Sequence, residues 1–566
     1  MKTSHFIQEA CFNGCCSSPF SSHSVSEKQE ELEFSVITTG ASLLTRDAKF
    51  TSQESLPRLR TSFYDLITAF PDYLQTNQAD HLRSTDYQNL SSSPHVFGQQ
   101  QPLFSYSQFR RISESEPDLN PPSLLTFSCK QVSSGKELIS FASEEESQFQ
   151  SRMRRRLTGF MNLEESEYHM ILTQDRSSAF KILAELYSFK TNPNLLTVYN
   201  YEDEAVEEMI RISEKKGVKP ESAEFSWPST DINSEKLKRR ITRGKRRGGK
   251  RGLFVFPLQS LVTGASYSYS WMSLAHGNEW HVLLDTSALG SKDMETLGLS
   301  LFQPDFLICS FTEFLGQDDP SGFGCLFVKK SSSPALSEEP TNPANLTAVK
   351  AEPAREWKTE YSEQNDETTR VDHEDHKAAS TSGGNEIIEI ESSSNEQDNK
   401  AMIEFRGLDH ADSLGLILIS RRSKSLTLWL IRALMTLQHP GSHQNEMPLV
   451  KLYGPKTKLS RGSSISFNIF DWQGEKVDPS VVESLAEREK IGLRCAYLHK
   501  IRIRNKRRSD EAMSLRLSVV SVRLGGFMTN FEDVFKVWEF VSRFLDADFV
   551  EKEKWRKKAL EKKTND

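Results

Sequence analysis

PDFLICSFTEFLGQDDPSGFGCLFVKK, residues 304 to 330, is the stretch on which the fold turns. Two apolar runs flank a segment rich in Gly, Pro and Asp, a pattern of strand, turn and strand that ends on Lys329 and Lys330. Upstream, SSAFKILAELYSF places Ala179, Ile182, Leu183 and Leu186 on one helical face. LLTVYNY, GLFVFPL and HVLLDTS are short apolar runs of buried-strand character, separated by helix-like or loop-like sequence. Such alternation predicts an α/β fold with a mostly parallel sheet covered on both faces. Ligands in such sheets sit at the carboxyl ends of the strands.

The bulk properties are compatible with this. The chain has 566 residues, 37% hydrophobic and 26% charged, enough for a sizeable core with unstructured sequence besides. Its 71 basic and 78 acidic residues give a net charge of −7, too mild to imply wholesale nucleic-acid binding. No run approaches the roughly 18 apolar residues of a bilayer span, and the start, MKTSHFIQEACFNGCC, has no apolar signal stretch. The expectation is a cytoplasmic protein with no membrane partner. The cysteines at 11, 15, 16, 129, 309, 325 and 495 are scattered, as in a reducing compartment. Cys11, Cys15 and Cys16 have no complementary CxxC or His pair, so no metal site is expected.

Composition divides the chain into five parts. Residues 1–55 are rich in Ser, Gln and Glu and read as a disordered arm, and 56–330 form the large domain. Residues 331–400 hold 16 Asp or Glu against 6 Lys or Arg, with few large apolar residues, and read as an acidic disordered linker. Residues 401–550 form a small α+β domain. In it Leu426, Leu430, Leu434 and Leu437 share a helical stripe, and Ile465, Phe467 and Ile469 alternate as on a half-buried strand. Asp478-Pro479 opens a helix, and Thr529 and Glu532 have capping-box spacing before the last one. Residues 551–566 are a charged tail.

Two features carry chemistry on their own terms. Asp285 ends an apolar strand, where a carboxylate needs a cationic or hydrogen-bonding partner or serves as a helix cap. KLKRRITRGKRRGGKR, Lys236 to Arg251, has ten basic residues in sixteen. It precedes a strand and reads as a solvated surface loop, with a nuclear address as the alternative. No aromatics interleave to stack bases, so nucleic acid is not an expected partner.

Taken in order, LFVFP, TGASYSYSW, VLLD, PDFLICSF and SGFGCLFVKK resemble the class V aminotransferase block of the molybdenum cofactor sulfurases. The resemblance continues through LVKLYGP, SFNIFDW and GFMTNFEDV, over roughly residues 43–550, and is nearest to plant sulfurase-like proteins. It implies a fold type I pyridoxal-phosphate (PLP) transferase related to cysteine desulfurases: a large cofactor domain, a small C-terminal domain, and a homodimer with sites at the subunit boundary. In this family a lysine in a motif like S-F-Y-K-x-F-G holds PLP as an imine. Here the stretch is Ser310, Phe311, Thr312, Glu313, Phe314, Leu315 and Gly316, so Glu313 stands in the lysine's place. A carboxylate cannot form that bond.

Other cofactor positions depart in the same way. The family's phosphate turn resembles T-S-G-x-T-A-A, and this chain has Thr173, Gln174, Asp175, Arg176, Ser177, Ser178 and Ala179. Asp175 would repel phosphate, with Arg176 and the Ser177 hydroxyl in partial compensation. The ring-stacking histidine falls near Glu202, the asparagine beside the phenolic oxygen falls on Leu261, and an early D-H-A-G element is Gly98, Gln99, Gln100 and Gln101. Asp285 alone matches, at the position that pairs with the pyridine nitrogen. The persulfide-accepting loop, L-R-T-G-C-F-C in the family, is Leu493, Arg494, Cys495, Ala496 and Tyr497, which leaves Cys495 as a relic shifted in register. The family's molybdopterin-recognising domain is expected to be absent. The resulting expectation is a pseudoenzyme with a binding or regulatory role and no cofactor; vestigial cofactor contacts remain at Asp285, Thr173 and Ser177. The alternative is an active PLP-dependent cysteine desulfurase or molybdenum cofactor sulfurase-type sulfur transferase.

Overall fold

The apolar runs of residues 168–353 assemble into one sheet. A computed structural model describes residues 48–85, 109–112, 125–143, 148–246, 252–287, 298–311, 323–338, 346–353, 402–440, 447–455, 461–502, 514–524 and 529–565. Its nine-stranded sheet runs Leu125–Gln131, Thr347–Pro353, Tyr168–Thr173, Phe323–Lys329, Phe306–Phe311, His281–Asp285, Gly252–Pro257, Asn194–Thr197, Glu221–Ser222. From Phe306–Phe311 to Glu221–Ser222 the pairings are parallel. From Phe306–Phe311 to the other edge they are antiparallel, so the expected mostly parallel sheet is parallel in one half only.

Side chains alternate between two cores, one on each face. Phe254, Phe256, Val282, Leu284, Leu307 and Cys309 join one, and Leu253, Val255, Leu283, Phe306 and Ile308 join the other. This two-sided burial is why the runs are apolar at every position. The helix Arg176–Leu186 covers the second face with Ala179, Ile182, Leu183 and Leu186 all buried, as the spacing predicts.

The C-terminal half builds a five-stranded sheet in the order Val450–Tyr453, Ser464–Ile469, Ser514–Arg523, Arg494–Arg502, Phe225–Ser226. Its last strand comes from the large half of the sequence and pairs in parallel, Ile501 with Phe225 and Arg502 with Ser226. The helices Leu416–Met435, Pro479–Arg488 and Phe531–Ser542 cover this sheet around Trp429 and Trp538. Ser464–Ile469 is buried at every position rather than at alternate ones.

Several expected boundaries are corrected. Residues 56–85 do not belong to the large domain as a block: Leu66, Ala69, Phe70 and Tyr73 pack into the core around Trp429 and Phe531, and only Ala79 and Leu82 pack on the large-domain core. Trp429 Nε1 donates to Asp65 Oδ2 at 3.1 Å, and buried Arg422 Nη1 donates to Asp80 Oδ2 at 3.0 Å. Conversely, Leu408, Ala411 and Leu414 of the helix Arg406–Leu414 pack on the large-domain core. Phe50, placed in the arm, donates its N–H to Thr436 O at 2.9 Å. The expected linker begins too early, because Lys330–Ala335 is a 3₁₀ turn and Thr347–Pro353 is a strand of the large sheet. The helix Ala547–Asn565 runs through the expected tail, where Lys554 Nζ reaches Asp471 Oδ2 at 2.8 Å. The final capping box is Asn530 with Asp533, one residue beyond the predicted pair. The basic run opens as a helix, Ser234–Arg246, instead of a loop, because Leu237 and Ile241 recur at helical spacing and are buried.

Candidate functional site

Asp285 is the last residue of the parallel strand His281–Asp285, at its carboxyl end, and is 1% exposed. The turn after Tyr168–Thr173 lies nearby, and the helix Arg176–Leu186 springs from it. The two meet through Arg176. Its Nη2 donates to Asp285 Oδ2 at 2.7 Å, its Nε faces Oδ1 at 3.5 Å, and its Nη1 donates to Asp203 Oδ1 at 2.9 Å. Its guanidinium carbon lies 4.7 Å from the centre of the Phe180 ring. Tyr199 O–H donates to Asp285 Oδ2 at 3.1 Å, and the Ser287 N–H donates to Oδ1 at 3.0 Å. Asp203 also caps its own helix, accepting from Val206 N at 3.2 Å. The Tyr201 hydroxyl is buried without a hydrogen-bond partner among the described residues.

Burial alone would push the Asp285 carboxyl up, but the Arg176 guanidinium and the Ser287 N–H hold it below the usual carboxylate value. Burial would lower the Arg176 value, and the two carboxylates raise it well above normal. The pair is therefore ionised on both sides. Burial, with the Asp285 charge behind it, pushes the Tyr199 phenol up, so it stays a neutral donor. Burial and then the Asp203 charge do the same to Tyr201.

The N-terminus of the helix Arg176–Leu186 is occupied by its own sequence. Asp175 is the N-cap and accepts from Ser178 N at 2.6 Å, satisfying an N–H that an anion would otherwise find free. Thr173 Oγ1 donates to Asp175 O at 2.7 Å and is buried, which fixes the turn. Gly324 packs against it, and a Cβ there would stand 2.3 Å from Asp175 O. Ser177 is exposed and, with Asp175, Ser178 and Lys181, lines an open hollow of about 660 Å³ beside Glu204, Glu207 and Glu208.

The remaining expected positions disperse. Glu202 turns toward the C-terminal sheet, where Arg516 Nη2 donates to Glu202 Oε2 at 2.7 Å. Leu261 is half-buried in a turn braced by Ser260 Oγ to Asn200 Oδ1 at 2.8 Å and Asn200 Nδ2 to Thr263 Oγ1 at 3.1 Å. Cys495 is half-buried on the strand Arg494–Arg502; burial raises its thiol, and the Glu483 carboxylate raises it further. Glu313, Gly98 to Gln101, and Cys11, Cys15 and Cys16 lie outside the described residues. Among the described residues no group of three or more His, Cys, Asp and Glu could hold a metal ion, and no helix is long and apolar enough to cross a membrane. Asp203, Tyr199 and Tyr201 join the site without having been expected there. Their only signal in the sequence is their place one strand over, in YNYEDEA.

No family model matches the chain. It is 25% identical to the molybdenum cofactor sulfurase of Homo sapiens over 256 residues, which cover 43% of this chain and 25% of that protein. Against the molybdenum cofactor sulfurase of Solanum lycopersicum it is 23% identical over 303 residues, 48% of this chain and 35% of that one. Against that of Bos taurus it is 23% identical over 372 residues, 61% and 37%. The chain thus spans about a quarter to a third of the length of these curated relatives. Among solved structures, a cysteine desulfurase from Thermococcus onnurineus NA1 aligns with a TM-score of 0.44 at 13% identity, covering 72% of this chain and 85% of that one. The likeness to sulfurases recurs across mammal, plant and insect, and the chain is molybdenum cofactor sulfurase-like.

Proposed function

We propose that this sulfurase-like chain is a pseudoenzyme of the PLP-transferase fold, with a binding or regulatory role. The observation that carries the reading is the Arg176 bridge between Asp285 and Asp203. In the family, the aspartate at position 285 is the partner of the pyridine nitrogen. Here a side-chain cation already takes that carboxylate, at 2.7 Å and with 16% of the guanidinium side chain exposed. The helix N-terminus that would receive phosphate carries the Asp175 carboxylate, which repels an anion and uses the Ser178 N–H. The two charged ends of PLP are thereby each met by a group of the chain that does their work or opposes them. The residues present do not fit the cofactor.

Glu313 at the lysine position and the raised Cys495 thiol support the same reading. The alternative, a PLP-dependent cysteine desulfurase or sulfurase, keeps the aspartate at position 285 in its favour. It requires Arg176 to vacate a buried, doubly paired position. The resemblance also proposes a homodimer, and among the described residues no helix is long and apolar enough to cross a membrane.

The test is to incubate the full chain with PLP, reduce with borohydride and map the peptides by mass spectrometry. No lysine should carry pyridoxyl in stoichiometric amount. A single fully labelled lysine in the large domain, with colour retained on dialysis, would overturn the proposal.

A further inference from the structure

We propose that the outer face of the helix Ser234–Arg246, together with Arg502, docks on the phosphate backbone of a nucleic-acid duplex. The basic run has no visible scaffold in the sequence, and the fold supplies one. Leu237 and Ile241 anchor the helix on the large-domain core, and Trp280 Nε1 donates to Ile241 O at 3.0 Å. Lys238, Arg239 and Arg243 then point to solvent. The parallel pairing of Arg502 with Ser226 brings in a second basic segment, the end of the strand Arg494–Arg502, from more than 250 residues away in the chain. The two segments meet at one carboxylate, 11% exposed: Lys236 Nζ reaches Glu224 at 2.7 Å, Arg240 Nη2 at 3.1 Å and Arg502 Nε at 2.6 Å.

Charge decides what this face fits. Six cations (Lys236, Lys238, Arg239, Arg240, Arg243 and Arg502) stand against Glu221, Glu224 and Glu235, so 6 − 3 leaves +3 on a chain of net −7. Glu224 is shared three ways and neutralises one charge, while it holds its partners in place and lowers the ordering entropy of contact. A protein interface would ordinarily have an apolar or aromatic centre. None of the exposed large apolar side chains among the described residues lies on this helix. A surface of Arg and Lys without such a centre, three of them held by Glu224, matches an array of phosphates. The proposal stands on this charge geometry and is independent of whether PLP binds.

The test measures fluorescence anisotropy of a short labelled DNA duplex of random sequence against the full chain, at low and rising salt. Binding should weaken steeply with salt. Arg239→Ala with Arg243→Ala, and separately Arg502→Ala, should bind more weakly while melting like the wild type, and the log–log salt slope should become shallower by about 1 for each phosphate no longer neutralised. Polyglutamate competing as well as duplex at equal charge would overturn the assignment in favour of an acidic protein. Absence of binding by the wild type at low salt, or unchanged slopes in both variants, would overturn it outright.

Discussion

Arg176 and Asp285 make a buried two-point contact across the carboxyl ends of the sheet, Nη2 to Oδ2 at 2.7 Å and Nε to Oδ1 at 3.5 Å. The guanidinium belongs to the first turn of a helix and the carboxylate to a strand end, so the pair ties two elements through charge as well as packing. With Asp203 on its other side, Arg176 is the cation that both carboxylates share.

Arg176→Met should therefore destabilise the large domain by about 3 kcal/mol, because it leaves two buried carboxylates without their cation. The double variant Arg176→Met, Asp285→Asn should recover much of this, since the worst uncompensated charge goes with its partner. Denaturant midpoints of the three proteins check it. Equal losses in the single and double variants would show that the ion pair is not the cause.

Acid should act earlier at the seam between the two sheets. His499 N donates to Asn200 O at 3.0 Å, and burial, aided by the Lys500 charge, pushes the imidazole down to about 4. The Glu202 carboxylate raises it and Arg516 lowers it, and their effects are the smaller ones. A histidine with a depressed folded value is protonated first in the unfolded chain. Its neutral state favours the fold above the unfolded value of ~6.5, and that stability is lost as pH falls from there toward about 4. The loss should be at most about 1.4 kcal/mol per pH unit in this window. Urea midpoints at pH 7 and pH 5 should diverge less in His499→Gln than in the wild type. An equal divergence would sink the assignment.

The strands are legible in the sequence because a two-sided sheet demands continuous apolar runs, as in LFVF and VLLD. Asp285 is legible as a carboxylate that needs a partner because it breaks such a run at its carboxyl end. What the sequence conceals is the partner. Arg176 follows an aspartate in a turn that resembles a phosphate cradle, and the resemblance directs its side chain to the phosphate end. The N-cap role of Asp175 frees Arg176 to reach across to Asp285, a tertiary geometry that no local spacing encodes. The domain limits fail for a related reason. Leu66, Phe70 and Tyr73 announce an apolar face but not which of two cores will cover it.

Cys495 should behave as an unreactive thiol. Burial and the Glu483 and Asp478 carboxylates raise it, and a raised thiol presents less thiolate at neutral pH. Alkylation by iodoacetamide at pH 7.5, followed by peptide, should be slower at Cys495 than in a short unfolded peptide of the same sequence. Treatment with cysteine and PLP should leave no persulfide on it. Rapid alkylation, or a persulfide formed under those conditions, would restore Cys495 as a sulfur acceptor.

Glu313→Lys alone should not create a desulfurase. The new amine would have to lose a proton to attack an aldehyde, and a free lysine titrates near ~10.4. A working site lowers that value with a desolvated pocket and a neighbouring positive charge. Cofactor would still have to displace Arg176 from Asp285, at a cost of about 3 kcal/mol for breaking a buried pair, or on the order of a hundredfold in affinity. Its phosphate would meet the Asp175 carboxylate at the helix N-terminus, and its phenolic oxygen would meet Leu261, whose side chain offers no hydrogen bond. The measurement is sulfide release from cysteine by Glu313→Lys and by a variant that adds Asp175→Gly, Arg176→Ala and Leu261→Asn. The single variant should stay at background, and any gain should appear only once Arg176 is removed. Turnover by Glu313→Lys with Arg176 in place would mean that the ion pair yields readily to the cofactor, and the pseudoenzyme reading would then rest on residue 313 alone.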